Sequence, residues 1–289
     1  MRHLLTLLAF IALLTSCQKE ISFDTDNPGN TGPGGTSPGS TNGDLLVRGV
    51  QISPATNDTS ILTCTWNSNK QLLTYNSNGK VQGSVVKINH IITRDATGKI
   101  NNIISKTFIS GAISDSVGYR YFYNGSKVNY ILAGRNTVLG PQNDSTVLTY
   151  NSSNQVISKE TFSDLFGSMD PLTKEEYQYD AGGNIKTVTS YTADFFTGAY
   201  FQGGQLTYTF DTHKAAAVLG EEAFSIIGAG NISKNNITKL ITNNVTSGTT
   251  YTATVTTSSF NSYDRPIQSN FVVTPQPPGY NQKVEYYYQ

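Results

Sequence analysis

The sequence predicts an all-β protein: an antiparallel meander of hairpins forming one large curved sheet or incomplete barrel, with at most one short helix. Three observations predict it. Apolar and polar residues alternate with period two from Asp44 onward, a turn phrase rich in Asn, Asp and Gly recurs along the chain, and helical spacing is scarce. The alternation is plain in Val85-Val86-Lys87-Ile88-Asn89-His90-Ile91, in Gln205-Leu206-Thr207-Tyr208-Thr209-Phe210 and in Thr250-Tyr251-Thr252-Ala253-Thr254-Val255. Thr, Val, Ile and Tyr dominate these runs and suit a pleated surface with one buried face. Only Lys214 to Ile227 (KAAAVLGEEAFSII) could form a helix, and Gly220 interrupts it.

The recurring phrase is an aromatic strand end, an Asn- or Asp-led turn, and a strand opening with Val, Ile or Leu. Its strong copies surround Tyr75-Asn76-Ser77-Asn78-Gly79, Tyr123-Asn124-Gly125, Tyr150-Asn151-Ser152-Ser153-Asn154 and Tyr179-Asp180-Ala181-Gly182-Gly183. Weaker copies surround Trp66-Asn67-Ser68-Asn69-Lys70, Arg94-Asp95-Ala96-Thr97-Gly98 and Phe260-Asn261-Ser262-Tyr263-Asp264. Asn or Asp at the first turn position bonds the backbone two residues on, and the last position needs positive φ. Gly adopts that conformation freely and Asn tolerates it, so Asn154 can stand where Gly79 and Gly183 do. The flanking aromatic and β-branched residues then face one another across the strands. Tyr123, Tyr150 and Tyr179 are 27 and then 29 residues apart, but the other intervals vary, which favours a meander with unequal loops over a strict solenoid.

Composition narrows the function. With Lys+Arg 20 against Asp+Glu 20, the chain lacks the basic excess that nucleic-acid binding needs. Tyr 17 and Phe 13 are too many for a chain disordered throughout. Charged residues make up 14%, against about 25% in ordinary soluble domains, so the polar surface must come mainly from Ser, Thr, Asn and Gly.

The amino end reads as an address. Arg2 and His3 precede an uncharged run of 11 residues, Leu4 to Leu14, about half the length needed to span a bilayer. Leu14-Thr15-Ser16-Cys17 resembles a bacterial lipobox, which makes residues 1–16 a lipoprotein signal peptide and Cys17 the site of lipid attachment. Anchoring by more than one acyl chain is durable, so the expected partner is a membrane that the chain does not span. Gln18-Lys19-Glu20 is similar to the signals that send Bacteroidota lipoproteins to the outer face of the outer membrane, although Ile21 stands where a second acidic residue belongs. The cell surface is therefore favoured over the periplasmic face. Residues 17–43 form the lipidated Cys and a Gly/Pro/Ser/Thr/Asn tether, with a reach of about 28 Å for a flexible chain. Residues 44–289 form a single β-rich domain. Asp24 to Gly29 is no calcium loop, because Pro28 occupies a ligand position and Gly35 stands where the closing Glu belongs.

The phrase Tyr177-Gln178-Tyr179-Asp180 with Gly183-Asn184-Ile185 resembles the tyrosine–aspartate repeats of Rhs-type proteins. The wider pattern resembles Bacteroidota lipoproteins of unknown function that carry such repeats. In those an aromatic-Asp strand end precedes an irregular stretch and a Ser-Lys-Asn-Asn phrase, here Phe210-Asp211 and Ser233-Lys234-Asn235-Asn236. The resemblance runs from about Leu72 to Gln289 and implies a β fold and an envelope setting, but no reaction.

Candidate chemistry is sparse. Cys64 alternates with Leu62 and Trp66 on one face and reads as a buried small hydrophobe. His90 and His213 have no carboxylate or Cys at metal-ligand spacing. Glu175-Glu176 and Glu221-Glu222, if in strands, point to opposite faces and cannot share a substrate. Gly182-Gly183, Gly203-Gly204 and Gly228-Ala229-Gly230 read as turns rather than phosphate loops. Aromatic residues cluster at Phe195-Phe196, Tyr200-Phe201 and Tyr286-Tyr287-Tyr288, and would serve binding if exposed. Asp115-Ser116-Val117 and Asp144-Ser145-Thr146 resemble short Bacteroidota O-glycosylation signals near expected loops, with Ser116 and Ser145 as acceptors. The expectation is a lipid-anchored outer-membrane lipoprotein with a non-catalytic binding or scaffolding role, a glycan or envelope protein as ligand, and no cofactor or metal. Its rival is an envelope hydrolase whose site assembles only in three dimensions.

Overall fold

In a computed structural model the described residues are 43–54, 58–81, 84–137, 140–164, 167–194, 196–226, 232–275 and 281–289. The signal peptide, Cys17 and the tether, apart from Gly43, lie outside them.

The predicted meander closes. Sixteen antiparallel strands follow in chain order: β1 (Leu46–Ile52), β2 (Thr59–Trp66), β3 (Leu72–Val81), β4 (Ser84–Arg94), β5 (Ile100–Ile109), β6 (Ala112–Asn124), β7 (Lys127–Thr137) and β8 (Gly140–Tyr150). They continue as β9 (Val156–Ser163), β10 (Asp170–Tyr179), β11 (Ile185–Ala193), β12 (Tyr200–Lys214), β13 (Asn235–Asn244), β14 (Thr249–Phe260), β15 (Pro266–Thr274) and β16 (Gln282–Tyr288). Each strand pairs with its neighbours in sequence, and β16 returns to β1 with Leu46 opposite Tyr288 and Ile52 opposite Lys283. Closure leaves no strand edge open to another chain. It replaces the open sheet or incomplete barrel of the sequence reading.

The turn phrase builds one end of this barrel. Asn67, Asp95, Asn151, Asp180 and Asn261 each open a tight turn whose fourth residue has positive φ: Lys70 (59°), Gly98 (86°), Asn154 (63°), Gly183 (83°) and Asp264 (65°). In the turn at Asn151, the side-chain Oδ1 accepts from the Ser153 and Gln155 N–H groups, both at 2.9 Å. Asn67 and Asn261 repeat that arrangement. The left-handed residue closes a bulged three-residue hairpin, and the strand register slips at Trp66, Arg94, Tyr150, Tyr179 and Phe260. The β6–β7 turn is shorter, with Gly125 at φ 61°. All these turns occupy the same end, which we call the floor; the opposite end is the mouth.

One strong copy fails. Asn76-Ser77-Asn78-Gly79 is not a turn but lies inside β3, with Gly79 paired to Val86. The hairpin's real turn is the weaker copy at Asn67–Gln71, and alternation carries β3 straight through the Asn-rich run. Gly79 is required for a different reason: a Cβ there would run into Ser60 on β2.

The residues that open strands after these turns point inward and are fully buried: Leu72, Ile100, Val128, Ile185 and Pro266. They ring a segment between β12 and β13 that replaces a turn with about twenty residues. Its expected helix shrinks to one turn, α1 (Ala223–Ile226), because β12 extends through Lys214. Leu219, Ala223 and Phe224 from this segment pack into the same cluster as Leu72, Ile100, Val128 and Tyr177, so it plugs the floor. Tyr121 bonds Ser225 Oγ at 2.5 Å, Arg265 Nη1 donates to Ala215 O at 2.6 Å, and Ser233 Oγ receives the Ile185 N–H.

Candidate functional site

The tyrosines of the repeat latch each hairpin to the one before it. The strand-end pairs face across the sheet as expected, with Tyr123 opposite Val128, Tyr150 opposite Val156 and Tyr179 opposite Ile185. The hydroxyl then reaches further. Tyr150 donates to Val128 O (3.0 Å), Tyr179 to Val156 O (2.8 Å) and Tyr288 to Pro266 O (2.6 Å), while Tyr123 accepts from Ile100 N–H (3.0 Å). Arg94 takes the same role where the aromatic is missing and donates to Leu72 O. Burial pushes Tyr150 and Tyr179 up to about 12, so these latches stay protonated.

Above the plug lies the lumen. Sixteen strands enclose a bore too wide for side chains to fill. Cross-strand partners share a face, so Cys64, Tyr75, His90 and Ser105 form one inward row, and Glu175, Ser190 and Gly204 another. Cys64 is buried, as the alternation predicted, and burial alone raises its thiol to about 12. A protonated thiol there is no nucleophile. His90 is buried too, with its Nδ1 unpartnered, and burial lowers it to about 4.

Two ion pairs line the inner wall. Lys159 Nζ lies 3.4 Å from Glu175, which also accepts from the Tyr177 hydroxyl; burial opposes the Glu175 charge, but Lys159 and Tyr177 outweigh it and hold the carboxyl below the usual range. These two side chains are 23% and 34% exposed although both point inward, so solvent reaches them inside the barrel. Nearer the mouth, Asp144 is held by Arg135 at 3.2 Å, by Ser163 Oγ at 2.6 Å and by Gln142. Gln51 and Gln282 add an amide pair. Asp115, on the face of Val117, and Asp170, opposite Ser163, also point inward and form no ion pair among the described residues, so the lumen is polar and aromatic with an acidic excess.

The aromatic clusters divide. Phe196 (93% exposed) and Phe201 (62%) stand at the mouth beside the apolar tips Ile113, Met169 and Val245, while Phe195 lies outside the described residues. Tyr200 faces outward and donates to Glu160 at 2.6 Å, with Lys174 over its ring. Tyr288 is a floor latch and Tyr287 lies under Arg48 on the outer wall, so the carboxyl-terminal tyrosines form no common platform.

Two sequence expectations are corrected. Glu175 and Glu176 do point to opposite faces, but Glu221 and Glu222 lie outside any strand, in the plug, and converge on one pocket. Asp115-Ser116 and Asp144-Ser145 lie within strands β6 and β8 rather than in loops, and Asp144 is buried in the network above. His213 lies in β12, bonds Asp264 through Nδ1 at 2.6 Å and stacks on Phe260 at 3.8 Å. The bond to Asp264 raises the imidazole and lowers the carboxyl. Among the described residues this ring hydrogen-bonds no hydroxyl or thiol. The residues missed in sequence, Arg135, Asp144, Lys159 and the plug, carried one legible signal: Lys214 to Ile227 breaks the period-two pattern where every comparable junction is a short turn.

No protein-family model matches the chain, and no curated protein matches it. Among solved structures the fold is similar to a porin-like protein from Bacteroides uniformis, with 12% identity, 84% of this chain and 96% of that chain covered, and a TM-score of 0.51. A porin-like protein from Bacteroides vulgatus follows with 10% identity, 85% and 98% covered, and a TM-score of 0.45. A Photorhabdus luminescens Tc holotoxin pore aligns at 14% identity over 76% of this chain and 10% of that one, with a TM-score of 0.30. The first likeness shows a shared fold and nothing beyond it.

Proposed function

We propose that the protein is a lipid-anchored binding cup of the cell envelope, non-catalytic, which takes a polar ligand, a glycan or a peptide of an envelope protein, into the barrel lumen. The observation that carries this reading is the pairing of a plugged floor with inward Tyr, Gln and ion-paired side chains that solvent reaches. Rings with polar tips and fixed hydrogen-bonding groups suit sugars. The lipobox at Cys17 and the tether supply the anchor, with the outer membrane as the expected site.

The outer wall favours a barrel in water over one in lipid. Outward rows carry Lys87, Lys106, Arg120, Lys239 and the Lys174–Glu176 and Lys283–Glu285 pairs, where a membrane-spanning barrel presents an apolar band. The hydrolase reading has the His213–Asp264 dyad in its favour, but that dyad is part-exposed at the floor and, among the described residues, bonds no hydroxyl or thiol.

A screen of glycans and peptidoglycan fragments against the full chain tests the proposal. Saturable binding with the fragments recovered intact supports it; release of cleaved products establishes the hydrolase instead.

A further inference from the structure

On the outer side of the plug, away from the lumen, a pocket of about 300 Å³ lies between the β2–β3 turn, Arg94 and the segment carrying Val218 to Glu222. We infer that this pocket binds a primary ammonium group on a compact body.

The polar groups of its walls are unequally matched. Trp66 spends its N–H on Leu46 O at 2.7 Å and offers only its ring. Arg94 commits its nitrogens to Leu72 O (3.4 and 3.3 Å) and Gly98 O (3.1 Å), and its Nη2 stands 3.6 Å from Glu222, beyond hydrogen-bond length. The Glu222 side chain is 6% exposed and, among the described residues, accepts no hydrogen bond. Glu221 accepts one, from the Tyr123 hydroxyl at 2.9 Å; its own burial and the neighbouring Glu222 push its carboxyl up. Two carboxylates thus share one guanidinium, which forms an ion pair with Glu222 but spends its hydrogen bonds on Leu72 O and Gly98 O. Lys70, at the rim, is 66% exposed and paired with Asp44, so it does not answer them.

A buried carboxylate short of donors is costly, and the complement is a single positive charge carrying several N–H donors. A primary ammonium provides that charge and three donors, while the Trp66 ring, Leu72 and Val218 cover an attached carbon chain. No group of three or more His, Cys, Asp or Glu side chains suited to a metal occurs among the described residues, so the two carboxylates alone make a poor metal cage. The inference is independent of what the lumen takes.

Trp66 is the chain's one tryptophan, which makes its emission a direct report on this pocket. Titrating the full chain with ethanolamine or cadaverine should give a saturable change with a Kd of about 1 mM, and tetramethylammonium, which has no N–H, should give none. Glu222→Gln should weaken binding at least tenfold. Val218→Phe, which fills the pocket from its exposed rim without touching a carboxylate, should abolish it at an unchanged melting temperature, and decides the matter if Glu222→Gln folds poorly. Vesicles of phosphatidylethanolamine against phosphatidylcholine separate the sources: capture by the former alone marks a lipid headgroup, and response to soluble amines alone marks a free amine, either of which upholds the site. No saturable change, an equal response to tetramethylammonium, or indifference to both substitutions overturns it.

Discussion

Tyr150 and Tyr179 hold more of this barrel together than their rings suggest. Each hydroxyl spans to the carbonyl of the preceding hairpin, a contact separate from the ladder. Tyr150→Phe and Tyr179→Phe should each destabilise the fold by about 1 kcal/mol in denaturant unfolding, with the ring packing kept. An unchanged midpoint in both would show that the latches are incidental. The histidines separate just as sharply. His90 has a folded value of about 4, below the ordinary 6.5, so its neutral form stabilises the fold above pH 6.5 and that contribution is lost as pH falls toward about 4. His213 is raised by Asp264, so its contribution is complete below pH 6.5 and is lost as pH rises through its folded value. Ring-proton NMR should therefore show His213 titrating above 6.5 while His90 stays neutral through that range.

At the scale of the element, the floor turns were legible because their chemistry is local. An Asx side chain and a left-handed fourth residue suffice, and the prediction that Asn154 takes the Gly place holds at φ 63°. Asn154→Val should accordingly destabilise by more than about 1 kcal/mol in thermal unfolding, while Asn154→Gly should not. The same local reading misplaced Asn76 to Gly79, since four residues cannot reveal that a strand continues through them. Only pairing with β2 and β4, far along the chain, shows it. Gly79→Val should still destabilise the barrel, through collision with Ser60 rather than through φ, and Ser60→Gly should restore part of the loss. Failure of that rescue would return the explanation to the backbone. The Glu221-Glu222 pair was misjudged for a similar reason: strand geometry was assumed where the chain leaves the sheet to form the plug.

For the whole molecule, closure was not legible, because it depends on β1 meeting β16 at opposite ends of the domain. Nor was the plug's role, since an apolar insert announces burial but not where. What was legible is the strand-by-strand inside and outside, and with it Cys64 in the interior. Gly43, the first described residue, accepts through its carbonyl from Asn261 in a floor turn, at the end of the barrel opposite the mouth. If Cys17 carries the lipid, Cys17→Ser should move the protein from the membrane fraction to the soluble one; retention would remove the anchor from the account.

The claim that the lumen is the binding site is tested most directly by a matched pair of substitutions one residue apart in β3. Ser77 lies on the inward row and Asn78 on the outward one. Binding of the strongest ligand from the glycan screen should be abolished by Ser77→Trp and retained by Asn78→Trp. Loss in the outward variant with retention in the inward one would place the ligand on the outer wall and contradict the cup.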